Sequence, residues 1–262
     1  MLQKDKVVFI TGASSGIGKA LAIEFVREGA KVVLASRNLE QLKIIEQQLG
    51  NQNCCCVQMD MEQSQGFQAC VEQALARFGR IDILVNNAGV SQRSLVAETR
   101  IEVDRRMMEI NYFGAIALTK LILPLMIKQG GGNICVISSA AGKYGFWLRS
   151  AYSASKHALH GFFESLQIEL KASNIKVTMV CPGGVATNIS VNALSGDGKS
   201  HGKMDNLQNK GLKPEYVAQK IVKAIAKGKF ELYLGGGEIF LIYLKRYFPA
   251  LFRYVAVKVG PR

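Results

Sequence analysis

Val7-Val8-Phe9-Ile10 runs directly into Thr11-Gly12-Ala13-Ser14-Ser15-Gly16-Ile17-Gly18, and a helical pattern follows from Lys19 to about Arg27. A short, fully apolar run of this kind marks a strand covered on both faces, as in a parallel sheet. Glycines at 12, 16 and 18 suit a loop that turns between strand and helix and lets backbone N–H groups and the helix N-terminus approach a pyrophosphate. The plainer reading is a glycine-rich tight turn with no ligand; the strand–loop–helix context weighs against it.

The alternation continues along the chain. Residues 31–35, 54–59, 81–85, 133–137, 177–180 and 230–234 read as strands. Helical patterns cover 39–49, 66–78, 98–128, a stretch reaching residue 171, and a segment opening at Pro214. Strands alternating with helices argue for βαβ units, hence an α/β fold with a right-handed, doubly wound parallel sheet in one domain.

Composition agrees. With 48% hydrophobic and 20% charged residues, the chain can bury a sizeable core. A formal charge of +13 suits anionic ligands, acidic membranes or nucleic acid. No block of five or six like charges is present, so no nucleic-acid partner is expected. Cys54, Cys55 and Cys56 are adjacent, and with Cys70, Cys135 and Cys181 they form no C-x-x-C pair or sensible disulfide framework. They read as small hydrophobes in a reducing, cytoplasmic setting. Met1 to Lys6 leads straight into the first strand, so no signal peptide is expected. His157, His160 and His201 match no metal spacing and read as structural.

The chemistry centres on Tyr152-Ser153-Ala154-Ser155-Lys156. A tyrosine and a lysine four apart on a helix share one face. A free phenol titrates near ~10, so acid–base work at neutral pH needs help of roughly 4 kcal/mol. An ammonium one turn away favours the phenolate. Ser139, just past Ile134-Cys135-Val136-Ile137, could then orient a substrate carbonyl. Taken alone, Y-x-x-x-K is more often an ordinary helix surface.

Other positions bear on a nucleotide. Ser36-Arg37 ends the second strand, where an acidic residue would favour NAD; a guanidinium suits a 2′-phosphate, hence NADP(H). Arg37 also reads as a solvated residue near the next helix. Asp60 could accept from an adenine amino group or cap a helix starting near Met61. Asn86-Asn87-Ala88-Gly89 could brace strands beside a cofactor. Asn111, a mediocre helix former, is either tolerated or marks a kink whose amide holds a water. Residues 188–212 form a long polar, glycine-rich stretch of the kind used for lids and substrate loops. Ala158, Leu159, Phe162, Phe163 and Leu166 exceed one narrow stripe and suggest burial on more than one side, in part at a subunit contact. The aromatic, basic segment 238–262 is interrupted too soon to span a membrane. It reads either as an interfacial helix or as a segment folding over the active site or a second subunit.

Together these residues resemble the short-chain dehydrogenase/reductase family. The matching positions are Thr11–Gly18, Asn86–Gly89, Asn111, Ser139, Tyr152, Lys156 and Pro182–Thr187, in the family's order to about residue 190. Within it, Thr187-Asn188-Ile189-Ser190-Val191-Asn192-Ala193, Asp197-Gly198 and Met204-Asp205 are similar to the dehydrogenase/reductase member-seven branch. That branch often carries an N-terminal membrane anchor, and none is expected here from Met1 to Lys6.

The resemblance implies a Rossmann-type sheet with a helical lid and C-terminal extension. Tyr152 is then the general acid in reduction. Lys156 lowers its pKa and holds the nicotinamide ribose, Ser139 bonds the substrate oxygen, and Asn111 anchors a relay water. Gly12, Ser14, Ser15, Gly16, Ile17 and Gly18 would hold NADP(H) from below, with Arg37, Asp60 and Met61 at the adenosine end. Asn87, Ala88, Gly89, Pro182, Gly183, Val185 and Thr187 would complete the site. The expected substrate is a lipophilic carbonyl or alcohol, and the expected assembly a homodimer or homotetramer. No metal is needed. A non-catalytic dinucleotide sensor on the same fold is the alternative.

Overall fold

The computed structural model describes residues 1–259, so the last three residues of the 238–262 segment lie outside the described residues. Seven parallel strands form one sheet: β1 (Val7–Thr11), β2 (Lys31–Ser36), β3 (Cys54–Gln58), β4 (Ile83–Asn86), β5 (Gly132–Ile137), β6 (Ile175–Pro182) and β7 (Glu231–Leu234). Their order is β3-β2-β1-β4-β5-β6-β7. The winding direction reverses between β1 and β4, and a crevice opens there at the carboxyl ends of the strands.

Successive residues of each strand point to opposite faces, and two cores result. Phe9, Val33, Leu84, Val136 and Met179 face α3 (Phe67–Phe78), α5 (Gly114–Lys128) and α6 (Ser150–Glu169). Val8, Ile10, Leu34, Val85 and Val180 face α1 (Gly16–Arg27), α2 (Leu39–Leu49) and α8 (Pro214–Ala226). All six cysteines are free, and five are buried.

The helix expected over 98–128 is interrupted. It consists of α4 (Ile101–Met108), a π turn at Glu109–Phe113, and α5. By length and composition this stretch would pass for a membrane span. It packs instead on the sheet, with Leu118, Ile122 and Met126 fully buried. β4 starts at Ile83, two residues late; Asp82 just before it still donates its N–H to Val7 O at 2.8 Å, and its carboxylate accepts from Val7 N at 2.9 Å and pairs with Arg80. The 188–212 stretch holds one short helix, α7 (Asn206–Asn209). Two C-terminal helices, α9 (Gly237–Tyr247) and α10 (Pro249–Val259), complete the fold.

Candidate active site

The crevice beyond β1 and β4 is a cavity of about 590 Å³, within the range of cofactor and small-molecule sites. Its floor is the glycine loop. Gly12 and Gly16 have φ of 67° and 54°, left-handed values that disfavour any side chain. A Cβ on Gly12 would lie 2.9 Å from Ala88 Cα, and one on Gly18 would strike the Gly12 carbonyl. The loop therefore lies flat on its neighbours. No side chain caps α1 at Ser15, so the first-turn N–H groups form a positive end suited to a phosphate. These features fit a dinucleotide.

Thr11 ties the two strand ends together. Its hydroxyl accepts from Asn87 N and Ala88 N, each at 3.0 Å, and Asn87 Nδ2 donates to Thr11 O at 2.8 Å. The bracing amides were expected; the hydroxyl at their centre is legible only with the strands side by side. Arg37, Asp60 and Met61 line one end of the cavity. No helix starts at Met61, so Asp60 is not a helix cap. Its carboxylate accepts from Glu62 N at 3.1 Å and closes a local turn, and α3 begins only after a 3-10 turn at Ser64–Gly66.

Ser139, Tyr152 and Lys156 meet at the other end, beside Pro182, Gly183, Val185 and Thr187. Lys156 is 4% exposed; Nζ donates to Ile137 O at 2.8 Å and lies 5.8 Å from the centroid of the Tyr152 ring. Burial lowers its pKa to about 8. Burial pushes the Tyr152 phenol up, against the pull of the Ser139 hydroxyl and of the Arg149 and Arg93 guanidiniums. Lys156, expected to lower the tyrosine pKa, has its ammonium engaged by the Ile137 carbonyl here, and desolvation is the larger effect on the phenol. Gln92, fully buried, accepts from Ala151 N at 2.8 Å and so fixes the start of the helix carrying both residues.

Gly18 and Asn111 sit behind the cavity. Asn111 lies inside the π turn, a device that recurs at functional sites. Its Oδ1 accepts from Val90 N at 2.8 Å, and its Nδ2 donates to Val90 O and Ser155 Oγ, each at 3.0 Å. Asn111 thus joins the segment after β4 to α6. A Cβ on Gly89 would come within 3.0 Å of its Oδ1.

Two groups escaped the sequence reading. Arg93 and Arg149 both line the cavity and converge on Asp205 Oδ2, with Nε at 2.8 Å and Nη2 at 2.7 Å. Burial would raise the Asp205 carboxyl, but the two guanidiniums win and hold it below the usual carboxylate range. They tie the 188–212 stretch across the cavity. Behind Ser138, His160 lies 3.1 Å from its hydroxyl and gathers with Cys181 and Glu231. Burial keeps this histidine neutral. The Lys143 ammonium, 2.6 Å from Glu231, supplies the positive charge there. Separations of 56 to 112 residues within the arginine group leave no local pattern to find.

The family model described as short chain dehydrogenase matches residues 6–197. The chain belongs to the short-chain dehydrogenase family. It is 41% identical over 258 residues to dehydrogenase/reductase SDR family member 7B of Xenopus tropicalis, covering 95% of this chain and 84% of that protein. A short-chain dehydrogenase from Streptomyces avermitilis superposes with a TM-score of 0.83 at 31% identity, over 99% of this chain and 100% of that one. The closed form of a serine dehydrogenase complexed with NADP+ does so with a TM-score of 0.80 at 27% identity, over 88% and 95% of the two chains. The matched span includes the glycine loop and the positions of Asn111, Ser139, Tyr152 and Lys156.

Proposed function

We propose that this short-chain dehydrogenase is an NADP(H)-dependent oxidoreductase acting on a carbonyl or hydroxyl group of a lipophilic substrate. The observation that carries the reading is one cavity with the glycine loop along its floor and Ser139, Tyr152 and Lys156 at one end. Gly12, Ser14, Ser15, Gly16 and Ile17 would hold the pyrophosphate on backbone N–H groups, and Gly18 would let α1 approach. Arg37 would take the 2′-phosphate, with Asp60 and Met61 beside the adenine. Asn87, Ala88, Gly89, Pro182, Gly183, Val185 and Thr187 would flank the rest. NADP+ in the serine dehydrogenase supports the choice of cofactor.

When bound, the nicotinamide supplies or accepts the hydride. In reduction, Ser139 donates to the substrate oxygen and orients it, and Tyr152 gives its proton to that oxygen. The raised phenol pKa keeps Tyr152 protonated, as a proton donor must be. Lys156 would hold the ribose hydroxyls and, charged below about pH 8, offset the phenolate left behind. Asn111 would position a water through which the proton is replaced. Tyr144, Phe146, Ile189 and Leu207 give the cavity an apolar wall, which supports a lipophilic substrate. Residues 188–212 would be the substrate loop. The half-buried Phe162 and the exposed Phe113 and Ile168 support assembly with a second copy.

The test is NADPH consumption with a panel of steroids, retinal, keto-lipids and small diketones, with NADH in parallel. Tyr152→Phe should lower turnover about 10³-fold and leave NADPH affinity nearly unchanged. Full activity in that variant would sink the mechanism, and equal use of NADH would sink the role of Arg37.

A further inference from the structure

Twenty large hydrophobic side chains are exposed among the described residues, and seven of them lie between Phe240 and Val257. Single exposed hydrophobics need no explanation, whereas a cluster marks a contact surface. Phe240, Tyr243 and Tyr247 stand at i, i+3 and i+7 on one side of α9, and Leu251 and Tyr254 are three apart on α10. Phe248 lies exposed between the two helices.

The opposite side of the pair is already used. Ile242 packs with Ala140 and Tyr144, joined by Ile239, Leu241 and Phe252. The Tyr144 hydroxyl donates to Glu238 O at 3.1 Å, and the rings of Tyr144 and Phe252 are 5.6 Å apart. Tyr144 and Glu238 line the cavity. The inner side of α9 and α10 is thus an outer wall of the candidate active site, and the cluster lies on the other side of that wall.

Charge indicates what covers the cluster. Residues 237–258 carry Lys245, Arg246, Arg253 and Lys258 against one acid, Glu238, whose carboxylate accepts from Gly184 N. A two-fold contact with a second copy would set this basic patch against itself. An anionic lipid surface complements it. Tyrosine and phenylalanine with interleaved Lys and Arg are the residues that settle at the headgroup level. Each helix has 11 residues, about 16 Å, against ~30 Å of bilayer hydrocarbon, so the pair lies on the membrane rather than across it.

We propose that α9 and α10 dock the protein on anionic phospholipid bilayers through Phe240, Tyr247, Phe248, Leu251 and Tyr254, with Arg246, Arg253 and Lys258 on headgroups. Resting on the function proposed above, this sets the substrate cavity behind its wall at the membrane, where lipophilic substrates are concentrated.

Flotation with phosphatidylcholine vesicles, with and without phosphatidylserine, tests the docking and requires no turnover. The protein should float with the serine-containing vesicles at low salt and be released at high salt. Arg246→Gln with Arg253→Gln and Lys258→Gln should weaken this about 100-fold, from roughly fivefold per basic residue, without changing the melting temperature. Failure of the unaltered protein to float, or equal flotation of the triple variant, overturns the proposal. So does a Tyr247→Ser, Leu251→Ser variant that turns a dimer into a monomer while floating unchanged, because the face would then belong to a second copy.

Discussion

Replacing Lys156 by methionine should abolish turnover and make the protein more stable. The side chain is 4% exposed, and burial holds its pKa at about 8 against 10.5 for a free lysine. At neutral pH that difference corresponds to roughly 3 kcal/mol of folding free energy lost to keeping the ammonium charged inside. Methionine has a similar shape and no charge. The variant loses the hydrogen bond to Ile137 O, about 1 kcal/mol, for a net gain of about 2 kcal/mol. In a chain of this size that is roughly 5 °C in Tm. The sign is checked by pH. Because the folded pKa is the lower one, the unfolded chain binds more protons, and the wild type gains stability as pH rises from about 8 to 10.5. The variant's advantage should therefore shrink by roughly 2 kcal/mol between about pH 7 and about pH 10. Urea unfolding of both proteins at the two pH values measures it. A variant less stable than wild type at neutral pH, or an advantage independent of pH, would refute the reasoning.

Gly18→Ala places a Cβ against the Gly12 carbonyl and 2.6 Å from Asn87 Nδ2. It should cost about 2 kcal/mol in urea unfolding and weaken NADPH binding, read by cofactor fluorescence. Arg37→Ala should raise the Kd for NADPH about tenfold and leave that for NADH unchanged. Asp205→Asn leaves two guanidiniums facing each other; with Asp205 21% exposed, the loss should be about 2 kcal/mol, below that of a fully buried pair. The wild-type contribution is whole above the ordinary carboxylate range and fades as pH falls through the lowered Asp205 pKa, a dependence the variant should lack in thermal melts.

The alternation of short apolar runs with helical patterns determined the parallel sheet, because strands buried on both faces and their crossover helices leave period and length signals along the chain. The glycine loop and the Tyr152–Lys156 pair were legible for the same reason: their spacing along the chain is their geometry. The π turn around Asn111 was only hinted at by a poor helix former, since an inserted residue shifts the register without changing composition. Thr11 as a brace, Gln92 at the start of α6, and the convergence of Arg93 and Arg149 on Asp205 could not be read in advance, for these partners come from separate elements that only the sheet and its loops bring together. The ionisation of Lys156 and Tyr152 belongs to the tertiary structure as well. The sequence supplies the opposite charge one turn away, but burial, which a linear chain does not display, decides which way each group is pushed.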